Sequence, residues 1–298
     1  MSRLQGCDVS HWNGRPDWAA AARAGLKWAA VKLSQGANIT DAQAARNVDQ
    51  LRDLALPIMP YHFLYPGVPA ADQFARFHAA VEACGGWEGM IVPALDVEGD
   101  EHCALRGMSS AAYCHLAGDW LVLLLREIGR PGVVYTYPSF NTEHGVGARL
   151  GDKSLLWAAS YGAKAPHFAG WEQTTFWQTS DHGSWPGIGG GLDMDWFLGT
   201  EAELRALMVQ AKPRPLVVGA DGQPVNCKPE WVGDSVTVAA MPLLRALGLP
   251  LTPLPPVVHT HSGRAFIREL EPYCRPWGFF YRDTPQGPRV YCKRVVAA

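Results

Sequence analysis

From its first residues to about residue 208, the chain alternates short apolar runs with amphipathic stretches of helical period. Few folds accept that order. Residues 27–34 (KWAAVKLS), 56–63 (LPIMPYHF), 90–97, 132–136, 155–160, 175–178 and 192–197 read as strands. Between them, residues 41–54, 70–81 and 109–128 read as helices. Thr40 or Asp41 is expected to cap the first, and Gly129 stands just past the end of the last. Strand–helix units whose strands end in polar residues predict an α/β fold, a (β/α) TIM-like barrel with its site at the strands' C-terminal ends. The later strands have fewer helical windows between them than a regular barrel needs, so the barrel is expected to be irregular.

Three strand-like segments end in carboxylates: Asp8 in CDVS, Asp96 and Glu98 in ALDVE, and Asp193 and Asp195 in GLDMDWF. Residues two apart on a strand share a face, about 6.6 Å apart along the backbone. A lone acid at a strand end is more often a helix cap or a salt-bridge partner. Three such segments together point elsewhere, because clustered carboxylates repel one another. Acids from several strands converging on one cleft suit glycosidic-bond hydrolysis. One acid must hold a proton for the leaving oxygen, and others must stay ionised beside an oxocarbenium-like centre.

The 298 residues leave room for a large core and a second domain. Lys212-Pro213-Arg214-Pro215 marks the break. The expected division is a catalytic domain over 1–210, a linker at 211–215 and a small α+β domain over 216–298. That last part suggests a degenerate β-α-β repeat, with helices over 239–247 and 267–274. The net charge of −2 implies neither nucleic acid nor a membrane surface as a partner, and no apolar run is long enough to insert in a membrane. Residues 214–298 carry ten basic and six acidic side chains, net +4, against −6 for the rest, which suits an anionic polymer target. The seven cysteines have no CxxC or zinc-ligand spacing and read for the most part as reduced, buried thiols. His102 lies near Asp100 and Glu101 but has no second histidine at ligand spacing, so no metal is expected. His62 and His78 read as structural.

Taken in order, these motifs resemble the family 25 glycoside hydrolases, the Chalaropsis-type lysozymes common among bacteriophage endolysins. The resemblance spans about residues 5–200. It rests on Asp8-Val9-Ser10 with Gly14 and Asp17-Trp18, Ala30-Val31-Lys32 with Gly36, Tyr61-His62-Phe63, Gln73 with Phe77, and Leu95-Asp96-Val97-Glu98. Val134-Tyr135-Thr136, Leu156 through Tyr161 (LWAASY), Trp177-Gln178 and Leu192 through Phe197 (LDMDWF) complete it. Each motif alone is weak, and their order and spacing carry the signal. Asp195 departs from the pattern, standing where a neutral amide is expected.

The resemblance implies a muramidase that cleaves the β-1,4 bond between N-acetylmuramic acid and N-acetylglucosamine in bacterial peptidoglycan, without a cofactor. Glu98 becomes the general acid/base, with Asp96 beside it and Asp8 and Asp193 lining the cleft. Tyr61, Tyr135, Trp157 and Trp177 fall in strand-end motifs and are expected to meet sugar faces, as against simple core packing. Lys32 and Gln178 are expected to bind substrate or to satisfy buried carboxylates, and Asp195 to bind substrate, raise a neighbour's pKa or pair with a cation. The attacking group is either Asp96 or the substrate's own N-acetyl oxygen. Residues 263–267 (GRAFI) and Leu247-Gly248 resemble a small repeat of bacterial wall-associated proteins, which implies wall binding or oligomerisation. Residues 1–6 do not read as a signal peptide, so synthesis in a host bacterial cytoplasm and action on the wall after release are expected. A catalytically silent wall binder, or a hydrolase of another N-acetylated glycan, are the competing expectations.

Overall fold

The computed structural model describes residues 3–162 and 164–210, and beyond them only the strand segments 216–217, 230–232, 235–239, 264–266, 279–284 and 287–292. The chain divides into two compact units, Met1–Gln210 and Ala211–Ala298.

The first unit is built on a sheet that closes on itself. β1 (Leu4–Val9) pairs in parallel with β2 (Trp28–Gln35), which pairs with β4 (Ile58–Phe63). β5 (Ala94–Asp96), β6 (Val133–Thr136), β7 (Leu155–Ala159) and β8 (Phe176–Trp185) continue the parallel run. β9 (Ile188–Phe197) then turns back antiparallel to β8 and reaches β1, which completes an eight-stranded barrel. β3 (Ile39–Thr40) is a short flap on the end of β2. The expected irregularity is therefore a β8–β9 hairpin in place of a final strand–helix unit. At its tip Gly187 takes φ 90°, and its carbonyl accepts from Asp17 N–H at 2.7 Å, just before helix α1 (Trp18–Arg23).

The parallel strands are covered on both faces, so they read as nearly unbroken apolar runs. Helix α4 (Ser110–Ile128) ends where its sequence predicts and starts one residue later than the expected 109, because Ser109 caps it. Ser109 Oγ accepts from Ala112 N–H at 3.2 Å, and Gly129 closes it in the left-handed region at φ 69°. α3 spans Ala70–Ala83. Two other boundaries differ from expectation. α2 covers Ala44–Asp53 and is not capped by Thr40 or Asp41, because Asp41 instead accepts from the backbone N–H groups of Gln43 and His11, each at 2.9 Å. The strand expected over 90–97 is regular only at β5, because Pro93 has no N–H to give the ladder, and Met90 and Ile91 make isolated bridges.

In the second unit, β10 (Leu216–Val217) and β14 (Phe279–Thr284) flank β15 (Gly287–Cys292), while β11 (Glu230–Val232), β12 (Ser235–Ala239) and β13 (Arg264–Phe266) form an antiparallel sheet. Ala239 closes β12; the rest of the helix expected over 239–247, and the whole of that over 267–274, lie outside the described residues. Among the described residues, no helix is long and apolar enough to cross a membrane.

Two apolar layers hold the barrel. Outward side chains such as Cys7, Val31 and Leu95 pack under the helices with Trp18, Phe77, Tyr113 and Trp120. Inward ones such as Trp28, Met59, Tyr61, Trp157, Phe176 and Phe197 fill the barrel itself. Gly6 makes the second layer possible: any Cβ there would run into the Trp28 indole, whose Nε1 donates to Leu4 O at 3.1 Å. Gly6→Ala is expected to destabilise the protein by about 1–3 kcal/mol through overpacking, seen as a lower melting temperature in calorimetry. An unchanged melting temperature would show that Trp28 can move aside.

Candidate active site

Strand parity decides where the acids go. With Gly6 and Ala94 turned inward, Asp8 and Asp96 face the barrel interior two residues further along. β9 runs the other way, so Asp193 comes level with Asp8, and Asp195 with Gly6. Asp193 thus enters from an antiparallel strand, not from a strand's C-terminal end. Asp8 and Asp96 are only 5% and 8% exposed, and Asp195 is wholly buried, while Asp193 and Glu98 are half-buried. Four of the five acids thus lie on barrel strands, and Glu98 lies two residues past the end of β5.

The acids form two groups. In the first, Asp8, Asp193 and Asp195 lie close enough to act electrostatically on one another. Buried carboxyls this close repel when ionised, so each holds a proton to higher pH than an exposed one. Burial raises all three; Asp195 is pushed up to about 7 and Asp193 to about 8. Neutral donors steady the trio. Trp157 Nε1 donates to Asp195 at 2.8 Å, and Gln178 Nε2 donates to Asp8 at 2.8 Å. The Gln178 carbonyl in turn accepts the hydroxyls of Tyr135 at 3.1 Å and Tyr161 at 3.0 Å.

The second group is Asp96, Glu98 and Lys32. Burial raises Glu98 to about 7 against the opposing pull of the Lys32 ammonium. Asp96 is raised well above the usual carboxylate range, first by burial and then by the Glu98 charge. Its Oδ1 is buried with no donor from the described protein. The two carboxyls share protons as one unit. Lys32 lies 4.6 Å over the Phe63 ring and donates to Gln35 at 2.8 Å, and Gln35 donates to Glu101 at 2.7 Å. Burial lowers the Lys32 pKa, and the charges of Asp96, Asp41, Glu98 and Glu101 oppose that.

Just past Glu98 the chain turns tightly. Asp100 accepts from His102 N–H at 2.9 Å, Ala104 N–H at 3.0 Å and Arg106 Nε at 2.9 Å. Gly99, at φ 89°, donates to the Tyr113 hydroxyl at 3.0 Å. Asp100 thus knits its own turn, and Glu101 joins the Lys32–Gln35 chain.

The sequence-predicted aromatics divide. Tyr135 is half-buried beside the acids, and Tyr61 is 7% exposed with its edge against Trp157. Trp157 and Trp177 are each 2% exposed, and their indole N–H groups are engaged by Asp195 and Ser160 O, so in this structure neither offers an open face to a sugar. Asp195 lies beneath the cleft for the same reason and supports Asp8 from within. Sequence reasoning did not single out Gln35, Glu101 and Tyr161 as site residues. Tyr161, 56% exposed with its hydroxyl tethered to Gln178, presents the open aromatic face expected of the tryptophans. Its alternation with Trp157 along and past β7 is the signal that could have found it.

Residues 7–188 match the family described as glycosyl hydrolases family 25. Lysozyme M1 of Streptomyces globisporus is 31% identical over 212 residues, covering 69% of this chain and 71% of that protein. The N,O-diacetylmuramidase of a Chalaropsis species is 26% identical over 64% of this chain and 96% of its own length. Among solved structures, a bacterial lysozyme from Streptomyces coelicolor superposes with a TM-score of 0.64 at 29% identity, covering 70% of this chain and 98% of its own. A barrel of this topology and a family match over most of the first unit agree: the chain belongs to glycosyl hydrolase family 25.

Proposed function

We propose that the chain is a muramidase, cleaving the β-1,4 bond between N-acetylmuramic acid and N-acetylglucosamine in bacterial peptidoglycan, with Glu98 as general acid and then base. One observation supports this most: a half-buried carboxyl held near neutral pKa beside a deeper one. Glu98 is open enough to meet a glycosidic oxygen, whereas Asp96 sits below it. As the bond from the anomeric carbon to that oxygen breaks, Glu98 gives the oxygen its proton. The positive charge developing at the anomeric carbon faces Asp96. We assign the attack on that carbon to the substrate's own N-acetyl oxygen, oriented by Asp96, rather than to Asp96 itself. Glu98, now ionised, takes a proton from the water that opens the resulting ring, which restores the acid and retains the anomeric configuration. Asp8, Asp193 and Gln178 shape the floor on which the sugar sits.

We extend the proposal to an endolysin that acts from inside a host, with residues 216–298 holding it on the wall. The support is the excess of basic side chains in the second unit and the four free cysteines among the described residues. On this reading, bacteria expressing the full chain stay intact until their membrane is permeabilised and then clear rapidly. Lysis without permeabilisation, followed by turbidity, would rule the role out.

Mass spectrometry of soluble products from purified peptidoglycan tests the reaction itself. Fragments with new reducing N-acetylmuramic acid ends are expected, and Glu98→Gln should slow their release by about 10²–10⁴-fold. Reducing N-acetylglucosamine ends would mean another bond is cut. Wall binding without products would mean a silent binder.

A second expectation concerns pH. Glu98 must be protonated to act, so the rate falls as pH rises through about 7. The proton-holding trio adds a stability effect of the same sign. Carboxyls raised on folding bind more protons in the native than in the unfolded chain, so their stabilisation is full at low pH and lost as pH rises through their folded values. The melting temperature should therefore fall between about pH 5 and about pH 8, and Asp195→Asn should flatten that slope by removing one such carboxyl. An unchanged slope in calorimetric scans would show that Asp195 is ionised throughout.

A further inference from the structure

The turn that follows β1 is more heavily built than a connection needs. Ser10 opens the tight turn His11–Asn13: its Oγ accepts from Trp12 N–H at 3.3 Å, and its own N–H donates to Asn13 Oδ1 at 2.9 Å. Gly14 closes the turn at φ 65°, donating to His11 O at 3.1 Å. His11 is pinned by Asp41, whose side chain is 2% exposed and whose Oδ2 meets both the backbone N–H and Nδ1 of His11 at 2.9 Å. The pinned imidazole packs on the Trp12 indole, ring centroids 4.5 Å apart and planes inclined by 37°. What this scaffold holds out is an indole 85% exposed, the most open large apolar side chain among the described residues. Exposing so large an apolar ring contributes nothing to the fold.

Its place is informative. Trp12 follows Asp8 by four residues, so its backbone is at most about 14 Å away even if fully extended. It therefore stands on the face of the barrel where the acids open. The Asp41 that pins His11 also acts electrostatically on Lys32, the cation that Asp96 and Glu98 address. The turn and the acids thus lie at the same end of the barrel.

We propose that Trp12, held by His11 and buried Asp41, is a sugar-stacking platform on the rim of the acids' cleft. It takes the apolar face of an N-acetylated sugar of the glycan strand beyond the two whose bond is cut. This rests on the muramidase reading. A sugar face is flat, apolar and uncharged, as the indole is. A stem peptide carries carboxylates and amines and calls for charged partners, yet the Asp41 carboxylate is buried and engaged by His11. A ring locked before binding loses little freedom when it stacks, so the affinity it contributes is not consumed in ordering it.

The test uses the full chain carrying Glu98→Gln, so that ligands survive, and titrates it by calorimetry with peptide-free glycan oligomers of increasing length. Adding Trp12→Ala is expected to weaken binding of the longer oligomers by about tenfold and to leave the shortest unaffected, with Trp12→Phe in between. The melting temperature should not change, because the indole is exposed. Equal affinity for long oligomers with and without Trp12 overturns the platform. So does a loss seen only when stem peptides are present, or a self-association in sedimentation that Trp12→Ala abolishes. Product release by the wild-type chain separates the two ideas: release with no Trp12 effect sinks the platform alone, whereas neither release nor binding sinks the muramidase reading and the platform with it.

Discussion

Closure of the barrel through β1 is the constraint on which the site depends. β1 is six residues long, yet it must satisfy a parallel ladder to β2 and an antiparallel one to β9. Those two ladders bring Asp8 opposite Asp193 and set Gly6 opposite both Trp28 and Asp195. Leaving the barrel open would expose two sheet edges and disperse the acids. Gly6 is the small concession that allows closure. The space beside it belongs to the Trp28 indole, which plugs the barrel below the acids.

Closure brings like charges together, and the protein relieves the repulsion in two ways. At Asp96 and Glu98 it supplies a counter-charge, Lys32, held at one remove by Gln35 and Glu101. At Asp8, Asp193 and Asp195 the relief comes from proton affinities that burial raises and from neutral donors, Trp157 and Gln178. The two solutions have different consequences. A carboxylate beside an ammonium can remain charged in the interior, whereas carboxyls with raised proton affinities stay close to neutral and rigid. The first arrangement suits a group that must change protonation during a reaction, and the second suits a floor.

Much of this could be read from the chain itself, because strands and acids both obey a period of two. The barrel, the inward set Asp8, Asp96 and Asp193, and the long α4 with its Ser109 cap and Gly129 end follow from local rules. Tertiary competition hid the rest. Asp41 looks like a helix cap until His11, thirty residues away, draws on the same carboxylate. Trp157 and Trp177 look like sugar platforms because strand-end aromatics often are, but the closed barrel consumes their faces. Tyr161 and Trp12, on connections just beyond strands, keep theirs. The β8–β9 hairpin is legible only as missing helices, since alternation alone does not reveal strand direction.

Depth in the barrel also explains why Glu98, among five acids, is suited to trade its proton. Asp195 lies deepest, wholly buried and bound by Trp157 Nε1 at 2.8 Å, out of reach of a ligand. Asp96 is next, at the last position of β5, with one oxygen buried and undonated. Glu98 keeps the inward parity of that strand but stands two residues past its end, where Gly99 bends away under the Tyr113 hydroxyl. It is therefore positioned by the rigid strand yet exposed by the loop. Burial is sufficient to raise its pKa to about 7 but not to seal it from a ligand. A residue deeper would be sealed from the ligand whose oxygen it must protonate. A residue further out would ionise like an ordinary surface glutamate and carry no proton to donate.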